Sequence, residues 1–167
     1  ILTPSVSITN ITCFDFENGS INLTVTGGTP DYTYLWSNGA TTEDISSLAP
    51  GVYSVTVTDD HGCVTSTSTT IIEPPVLDLS ATTEPPSCNG ENSGAVDLTV
   101  TGGTPAYTYA WSNGATSEDL VNVTAGTYTV TVRDANGCTK TTTATVGDID
   151  ALSLTRTVTN VKCFGGT

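Results

Sequence analysis

The chain has 167 residues, of which 37% are apolar, and a formal net charge of −13. Its apolar content is that of a folded protein, which excludes an intrinsically disordered chain. Phosphate backbones and anionic membrane surfaces would repel so acidic a protein, so we expect neither nucleic-acid binding nor membrane insertion. Threonine makes up about one residue in five, methionine is absent, and lysine plus arginine number only 4. This composition favours strands and excludes an all-α protein.

Predicted strands follow one another closely from residue 21 onward. Five segments have the alternating or β-branched composition of half-buried strands: Ile21–Thr26, Tyr32–Ser37, Thr41–Ser46, Tyr53–Thr58 and Cys63–Ile72. The intervening sequences GGTP, NG and DHG have the chemistry of tight turns. The first half of the chain is therefore predicted to consist of short strands joined by turns.

The second half of the chain repeats the first with a fixed period. Equivalent residues recur 75 positions apart: Cys13, Cys88 and Cys163, Cys63 and Cys138, and Trp36 and Trp111. This periodicity predicts one copy at residues 1–75, a second at 76–148 and the truncated start of a third at 149–167. The start of the chain lacks a signal-peptide pattern, and we expect the chain to be an excerpt from a longer, processed protein.

Each copy has the strand number and spacing of a β-sandwich. Trp36 lies on the predicted strand Tyr32–Ser37, and the stretch Leu48–Tyr53 resembles a tyrosine corner; both fit an immunoglobulin-like arrangement. The predicted fold class is therefore all-β, with tandem immunoglobulin-like sandwich domains of about 75 residues per repeat.

The cysteines are expected to supply a covalent staple, because a copy of this size has a small core. Pairing Cys13 with Cys63 and Cys88 with Cys138 would close a loop within each copy, whereas a rival bond between Cys63 and Cys88 would join neighbouring copies. We expect the pairing within copies, which makes each unit self-sufficient and leaves Cys163 unpaired. Stable bridges imply an oxidising compartment. The absence of CxxC spacing argues against a zinc site.

The motifs GGTPxYTYxWSNG and DxxGC occur twice in the same order. On these motifs the chain resembles the SprB repeat family, which is similar in outline to the polycystic-kidney-disease (PKD) type of immunoglobulin-like module. The resemblance implies PKD-like domains in a very large adhesin of gliding Bacteroidetes, exported by the type IX secretion route. It further implies an extracellular, cell-surface stalk that contacts the substratum and has no catalytic residue.

An aromatic stripe recurs on one face of a predicted strand in each copy. Trp36 and Trp111 are expected in the core, with the tyrosines covering its edges. The alternative is a platform that stacks on sugar rings, and its candidate residues are Tyr32, Tyr34, Tyr107 and Tyr109.

Acidic side chains cluster in the predicted loops. Calcium is a weaker alternative to solvated surface charge there, and its candidate ligands are Asp15, Glu17, Asp59, Asp60 and Asp134. We otherwise expect no cofactor.

His61 is the only histidine, and Asn136 takes its place in the second copy. We therefore expect His61 to belong to a hairpin turn rather than to a catalytic site, and the chain not to be an enzyme.

Two functional hypotheses follow. The first is a structural and adhesive repeat of a secreted surface adhesin, whose partners are an extracellular surface or polysaccharide and the neighbouring repeats of its own chain. The second is a carbohydrate-binding module of a secreted polysaccharide-degrading enzyme, suggested by the aromatic stripe.

Overall fold

The computed structural model describes residues 1–151 and 153–158, and every helix or strand assigned there is a β-strand. The all-β prediction is confirmed. The predicted third copy at 149–167 falls partly outside these ranges, as does Cys163, and its described residues form no strand. The described strands are β1 Thr3–Thr9, β2 Gly19–Thr26, β3 Thr33–Trp36, β4 Ile45–Leu48, β5 Gly51–Thr58, β6 Val64–Ile71, β7 Asp78–Glu84, β8 Gly94–Thr101, β9 Thr108–Trp111, β10 Leu120–Val123, β11 Gly126–Arg133 and β12 Thr139–Val146.

Each copy is a sandwich of two antiparallel three-stranded sheets. The first copy has the strand orders β1-β2-β4 and β3-β5-β6, and the second copy has β7-β8-β10 and β9-β11-β12. The register repeats with the sequence, since Trp36 pairs with Val55 and Trp111 pairs with Val130. The two copies therefore have the same topology and the same cross-strand neighbours at their centres.

The core of each sandwich is formed by alternate residues of its central strands. In the first copy Ile21, Leu23, Val55 and Val57 are at most 2% exposed, while the exposed Asn22 and Thr56 stand between them. Burying side chains of this size stabilises a fold by about 1.5–3 kcal/mol each. The equivalent buried residues of the second copy are Val96, Leu98, Val130 and Val132.

The edge of the first sheet meets the last strand of the same copy. Beyond β1, the Ile11 N–H donates to the carbonyl of Ile72 at 3.0 Å, and the Ile72 N–H donates to Asn10 Oδ1 at 3.1 Å. These bonds hold the end of the copy's last strand beside the segment that follows β1, whereas the start of the chain lies beside Gly27, at the opposite end of β1.

The predicted tyrosine corner is present in both copies. Tyr53 Oη donates to the carbonyl of Ala49 at 3.0 Å, and Tyr128 Oη donates to the carbonyl of Thr124 at 2.8 Å. Each bond ties the start of the long central strand to the loop that precedes it, as in immunoglobulin-like sandwiches.

One predicted strand is misplaced, and one strand was not predicted. The segment predicted at Thr41–Ser46 is a turn up to residue 44, and the strand there is β4. Two hydrogen bonds stabilise the turn: the Thr42 hydroxyl donates to the Asp44 carbonyl at 2.6 Å, and the Leu23 N–H donates to Asp44 Oδ1 at 2.9 Å. The unpredicted strand is β1, which pairs with β2 along its whole length.

Candidate functional site

A buried aspartate organises the turn between the last two strands of the first copy. Asp59 is 5% exposed, and its Oδ1 accepts the backbone N–H groups of His61 at 3.1 Å and Cys63 at 2.8 Å. Its Oδ2 accepts the N–H of Thr29 at 3.0 Å. One carboxylate thereby joins the GGTP loop to the turn that carries the second cysteine of the copy.

The second copy repeats this arrangement around Asp134, which is also 5% exposed. Asp134 accepts the N–H groups of Thr104, Asn136 and Cys138 at 2.9, 3.0 and 2.8 Å. Sequence reasoning placed Asp59 and Asp134 among calcium candidates, whereas the structure gives each a backbone-binding role. The recurrence of the DxxGC motif was the signal available for that role.

The backbone hydrogen bonds that Asp59 accepts lower its pKa below the ordinary value. The N–H of Thr29 is the largest cause, and the N–H of Cys63 is the next. Because the native pKa lies below the unfolded value near 3.9, ionised Asp59 stabilises the fold fully above that pH. The stabilisation is lost as pH falls through the native pKa.

We expect an Asp59→Asn variant to lose this pH dependence. The measurement is urea unfolding of both proteins from neutral pH to about pH 2. The difference in unfolding free energy between wild type and variant should be largest at neutral pH, and it should shrink toward acid pH as Asp59 becomes protonated. Asp60→Ala, which removes the exposed neighbouring carboxylate, serves as the control and should follow the wild-type curve. A gap that stays constant down to the lowest pH would contradict the role of the ionised carboxylate.

The two copies are joined by a disulfide between Cys13 and Cys138, with the Cα atoms 5.7 Å apart. The predicted pairing within copies is therefore wrong, and the rival bond between Cys63 and Cys88 is not formed, since both thiols are free and exposed. The physical reason is placement: the loop after β1 in the first copy lies against the β11–β12 turn of the second. Spacing along the sequence does not encode that approach.

Further contacts surround this bond. Asn136 Nδ2 donates to the carbonyl of Thr12 in the first copy at 2.9 Å and to its own copy's Thr104 Oγ1 at 3.0 Å. Beside them lies a cleft of about 410 Å³, lined by Phe14 and Phe16 of the first copy and by residues of the second copy and the connecting segment. Leu77, at the entry of the second copy, also lines this cleft and is buried. The junction thus combines a covalent bond, a hydrogen bond and apolar lining.

His61 lies in the predicted turn, which is confirmed by the bond from the Gly62 N–H to the Asp59 carbonyl at 2.9 Å. Its Nδ1 is 2.7 Å from the hydroxyl of Thr29. In the second copy Asn136 bonds the equivalent hydroxyl, that of Thr104. Asn136 also forms part of the junction, and His61 is its counterpart in the first copy.

Both tryptophans are core residues. Trp36 and Trp111 are 2% and 5% exposed, and their Nε1–H groups donate to the carbonyls of Thr42 at 2.8 Å and Ser117 at 3.0 Å. Their polar atoms are satisfied inside the sandwich, so neither indole is available to stack on a sugar.

The four candidate tyrosines are half-buried against the two cores. Tyr32 and Tyr107 donate their hydroxyls to the carbonyls of Gly27 at 2.6 Å and Gly102 at 2.5 Å. Burial raises the pKa of Tyr34 and the pKa of Tyr109, and the neighbouring Glu43 and Glu118, respectively, raise them further. These positions favour the structural role, and sugar contact by the tyrosines stays a prediction.

The acidic loops do not converge on one point. Within the described ranges, no group of three or more His, Cys, Asp or Glu residues is arranged to hold a metal ion. Glu17 and Asp60 are exposed, and the N–H of exposed Asp15 donates to Glu73 Oε2 at 2.9 Å. Calcium binding by Asp15, Glu17, Asp59, Asp60 and Asp134 stays a prediction.

The model of the SprB repeat family matches residues 5–41 and 80–116. Each of the two copies therefore contains a segment that matches the SprB repeat model. The matched segments include most of the first strand of each copy, the next two strands and the GGTP loop that the buried aspartate holds. The resemblance to this family is confirmed. A search of curated proteins gave no match.

The fold class is confirmed by a solved structure, and a second structure shows a weaker similarity. The three N-terminal domains of the highly immunogenic outer capsid protein of bacteriophage RB49 are similar with a TM-score of 0.53 at 21% identity, over 89% of this chain and 59% of that one. A C-terminal fragment of intimin, in complex with the intimin-binding domain of its translocated receptor, gives a TM-score of 0.46 at 18% identity, over 88% and 64%. This chain thus spans about three fifths of the length of these structures. No helix in residues 1–151 and 153–158 is long and apolar enough to cross a membrane.

Proposed function

We propose that this chain is a structural and adhesive segment of a large secreted adhesin, displayed on the cell surface, in which SprB repeats form an extended stalk. The observation that carries the proposal is the junction, where the Cys13–Cys138 bond and the Asn136–Thr12 hydrogen bond hold consecutive repeats together. A fixed junction between repeats of fixed length is what a spacer requires.

Charge and redox chemistry support the extracellular location. The net charge of −13 opposes self-association of neighbouring filaments, and a disulfide persists in oxidising compartments. The resemblance to adhesins of gliding Bacteroidetes supports a gliding-motility role and export by the type IX route. The adhesive partner would be an extracellular surface or polysaccharide.

The chemistry of the side chains favours this role over catalysis. The buried carboxylates of Asp59 and Asp134 are occupied by backbone N–H groups, and the lone histidine belongs to a turn. The alternative of a carbohydrate-binding module on a polysaccharide-degrading enzyme depended on exposed aromatic rings. Both tryptophans are buried, as expected, and the four candidate tyrosines are half-buried against the cores, so we do not adopt it.

Removal of whole repeats from the parent protein should shorten the surface filament in proportion to the number removed and weaken attachment of the cells. Each deletion should span 75 residues in register, such as residues 14–88, so that every remaining strand keeps its partners. Filament length would be measured by electron microscopy of labelled cells, and attachment by detachment under flow.

The matched control is a parent protein with all repeats present and Trp36→Phe in one of them, which keeps an aromatic ring in the core. Its filament length should equal that of the wild type. Unchanged filament length after deletion of several repeats would contradict the stalk function.

A further inference from the structure

The two free cysteines occupy the same positions as the two bonded ones. Cys63 stands in the first copy where Cys138 stands in the second, and Cys88 stands in the second copy where Cys13 stands in the first. Cys13 and Cys138 are bonded across the junction, whereas Cys63 and Cys88 are exposed thiols. The described chain therefore carries one complete junction and one half of a junction at each of its ends.

The loop that carries the first cysteine has the same conformation in both copies. The Thr12 N–H donates to Asn18 Oδ1 at 3.1 Å, and the equivalent Ser87 N–H donates to Ser93 Oγ at 2.8 Å. The N–H three residues after each cysteine donates back to the cysteine carbonyl, at 3.2 Å for Cys13 and 3.0 Å for Cys88. The backbone also has positive φ at equivalent positions, 62° at Asp15 and 75° at Gly90. The loop around Cys88 is thus preformed without its bond.

The turn that carries the second cysteine is preformed in the same way. The Cys63 N–H and the Cys138 N–H donate to Asp59 and Asp134, respectively, both at 2.8 Å. The first copy also presents apolar surface beside its free thiol, since Val64 is 64% exposed. Leu2 is only half-buried, whereas Leu77 at the equivalent position is buried at the junction. This end of the first copy therefore has the shape and chemistry of the surface that the second copy uses.

We propose that the disulfide recurs along the repeat array, with the first cysteine of each SprB repeat bonded to the second cysteine of the next repeat in the same chain. Cys88 then bonds the repeat that follows this segment, and Cys63 bonds the repeat that precedes it. The occupant of each open surface is a further SprB repeat. This inference goes beyond the proposed function, because it holds whatever the array contacts.

Formation of each bond requires an oxidant, which is a small-molecule or protein disulfide. The thiolate of one cysteine attacks that disulfide, forms a mixed disulfide and releases one thiol. The thiolate of the second cysteine then displaces the remaining thiol group and forms the bond between the repeats. The two cysteines lose two electrons and two protons in total, and the oxidant disulfide gains both as two thiols.

A chain with three repeats tests the proposal. Residues 1–148 are followed by a second set of residues 74–148, which continues the register. The added set carries Cys88→Ser, so that one Cys88 remains, and Lys140→Arg, which gives its Cys138 peptide a distinct mass. The protein is refolded with oxidised and reduced glutathione. Peptide mapping without reduction should identify two bonds, Cys13–Cys138 and Cys88 to Cys138 of the added repeat. Alkylation of Cys88, complete in the original chain, should fall to near zero in the extended one.

A Cys88→Ser variant of the extended chain is the matched control. It should keep the Cys13–Cys138 bond and leave Cys138 of the added repeat open to alkylation. A free Cys88 in the oxidised extended chain, or its bond to any other cysteine, would overturn the proposal. Failure of the Cys13–Cys138 bond to form under the same conditions would overturn it as well.

Discussion

Reduction of the Cys13–Cys138 bond should lengthen the fully extended chain by about 440 Å under tension. The bond joins residues separated by 125 positions, and each extended residue spans at most 3.3–3.6 Å. In the oxidised chain the force bypasses residues 14–137 through the bond, so only the segments outside the loop, which include β1 and β12, can be drawn out. Single-molecule pulling between the chain ends, with and without reductant, measures the difference.

The size of the gain distinguishes between the pairings. Bonds within each copy would release two separate lengths of roughly 175 Å each, because each would close a loop of about 50 residues. An oxidised Cys13→Ser chain is the control and should extend as far as the reduced wild type. Each copy has its own core, so reduction should leave the β-sheet circular dichroism unchanged. Equal extension of oxidised and reduced wild type would refute the bond between the copies.

Replacement of Asp134 by alanine should destabilise the second copy by about 3 kcal/mol. Three backbone N–H groups lose a charged acceptor, and a buried donor left without a partner costs roughly 1–3 kcal/mol. The change is measured by urea unfolding in a Trp36→Phe background, in which Trp111 fluorescence reports on the second copy. The turn around Cys138 should loosen as well, so the disulfide should re-form more slowly after reduction.

Two controls accompany this variant. Asp134→Asn keeps one acceptor oxygen and should have an intermediate effect, whereas Asp97→Ala removes an exposed carboxylate from the same copy and should change stability by no more than about 0.5 kcal/mol. If Asp134→Ala is as mild as Asp97→Ala, the carboxylate does not hold the loop to the turn.

Local physics made much of the fold predictable. Alternation of Val55 and Val57 with threonine identifies a strand and its buried face, because side chains in a strand point alternately to opposite sides. The tyrosine corner at Tyr53 was also predictable, since donor and acceptor lie only four residues apart. The strand prediction at residues 41–44 was wrong because Asp44 and Thr42 use their polar groups to stabilise a turn there.

The sequence alone determined the period, the strand-rich fold, the inward faces of the central strands and the core position of Trp36, because these depend on composition, repetition and contacts between near neighbours. The tertiary structure decided the disulfide pairing and the role of the buried aspartates. Cys13 and Cys138 are 125 residues apart, and Asp59 accepts an N–H from Thr29, 30 residues earlier in the chain. Local chemistry barely distinguishes equivalent cysteines in two such similar copies, so which pair bonds depends on how one folded copy lies against the next.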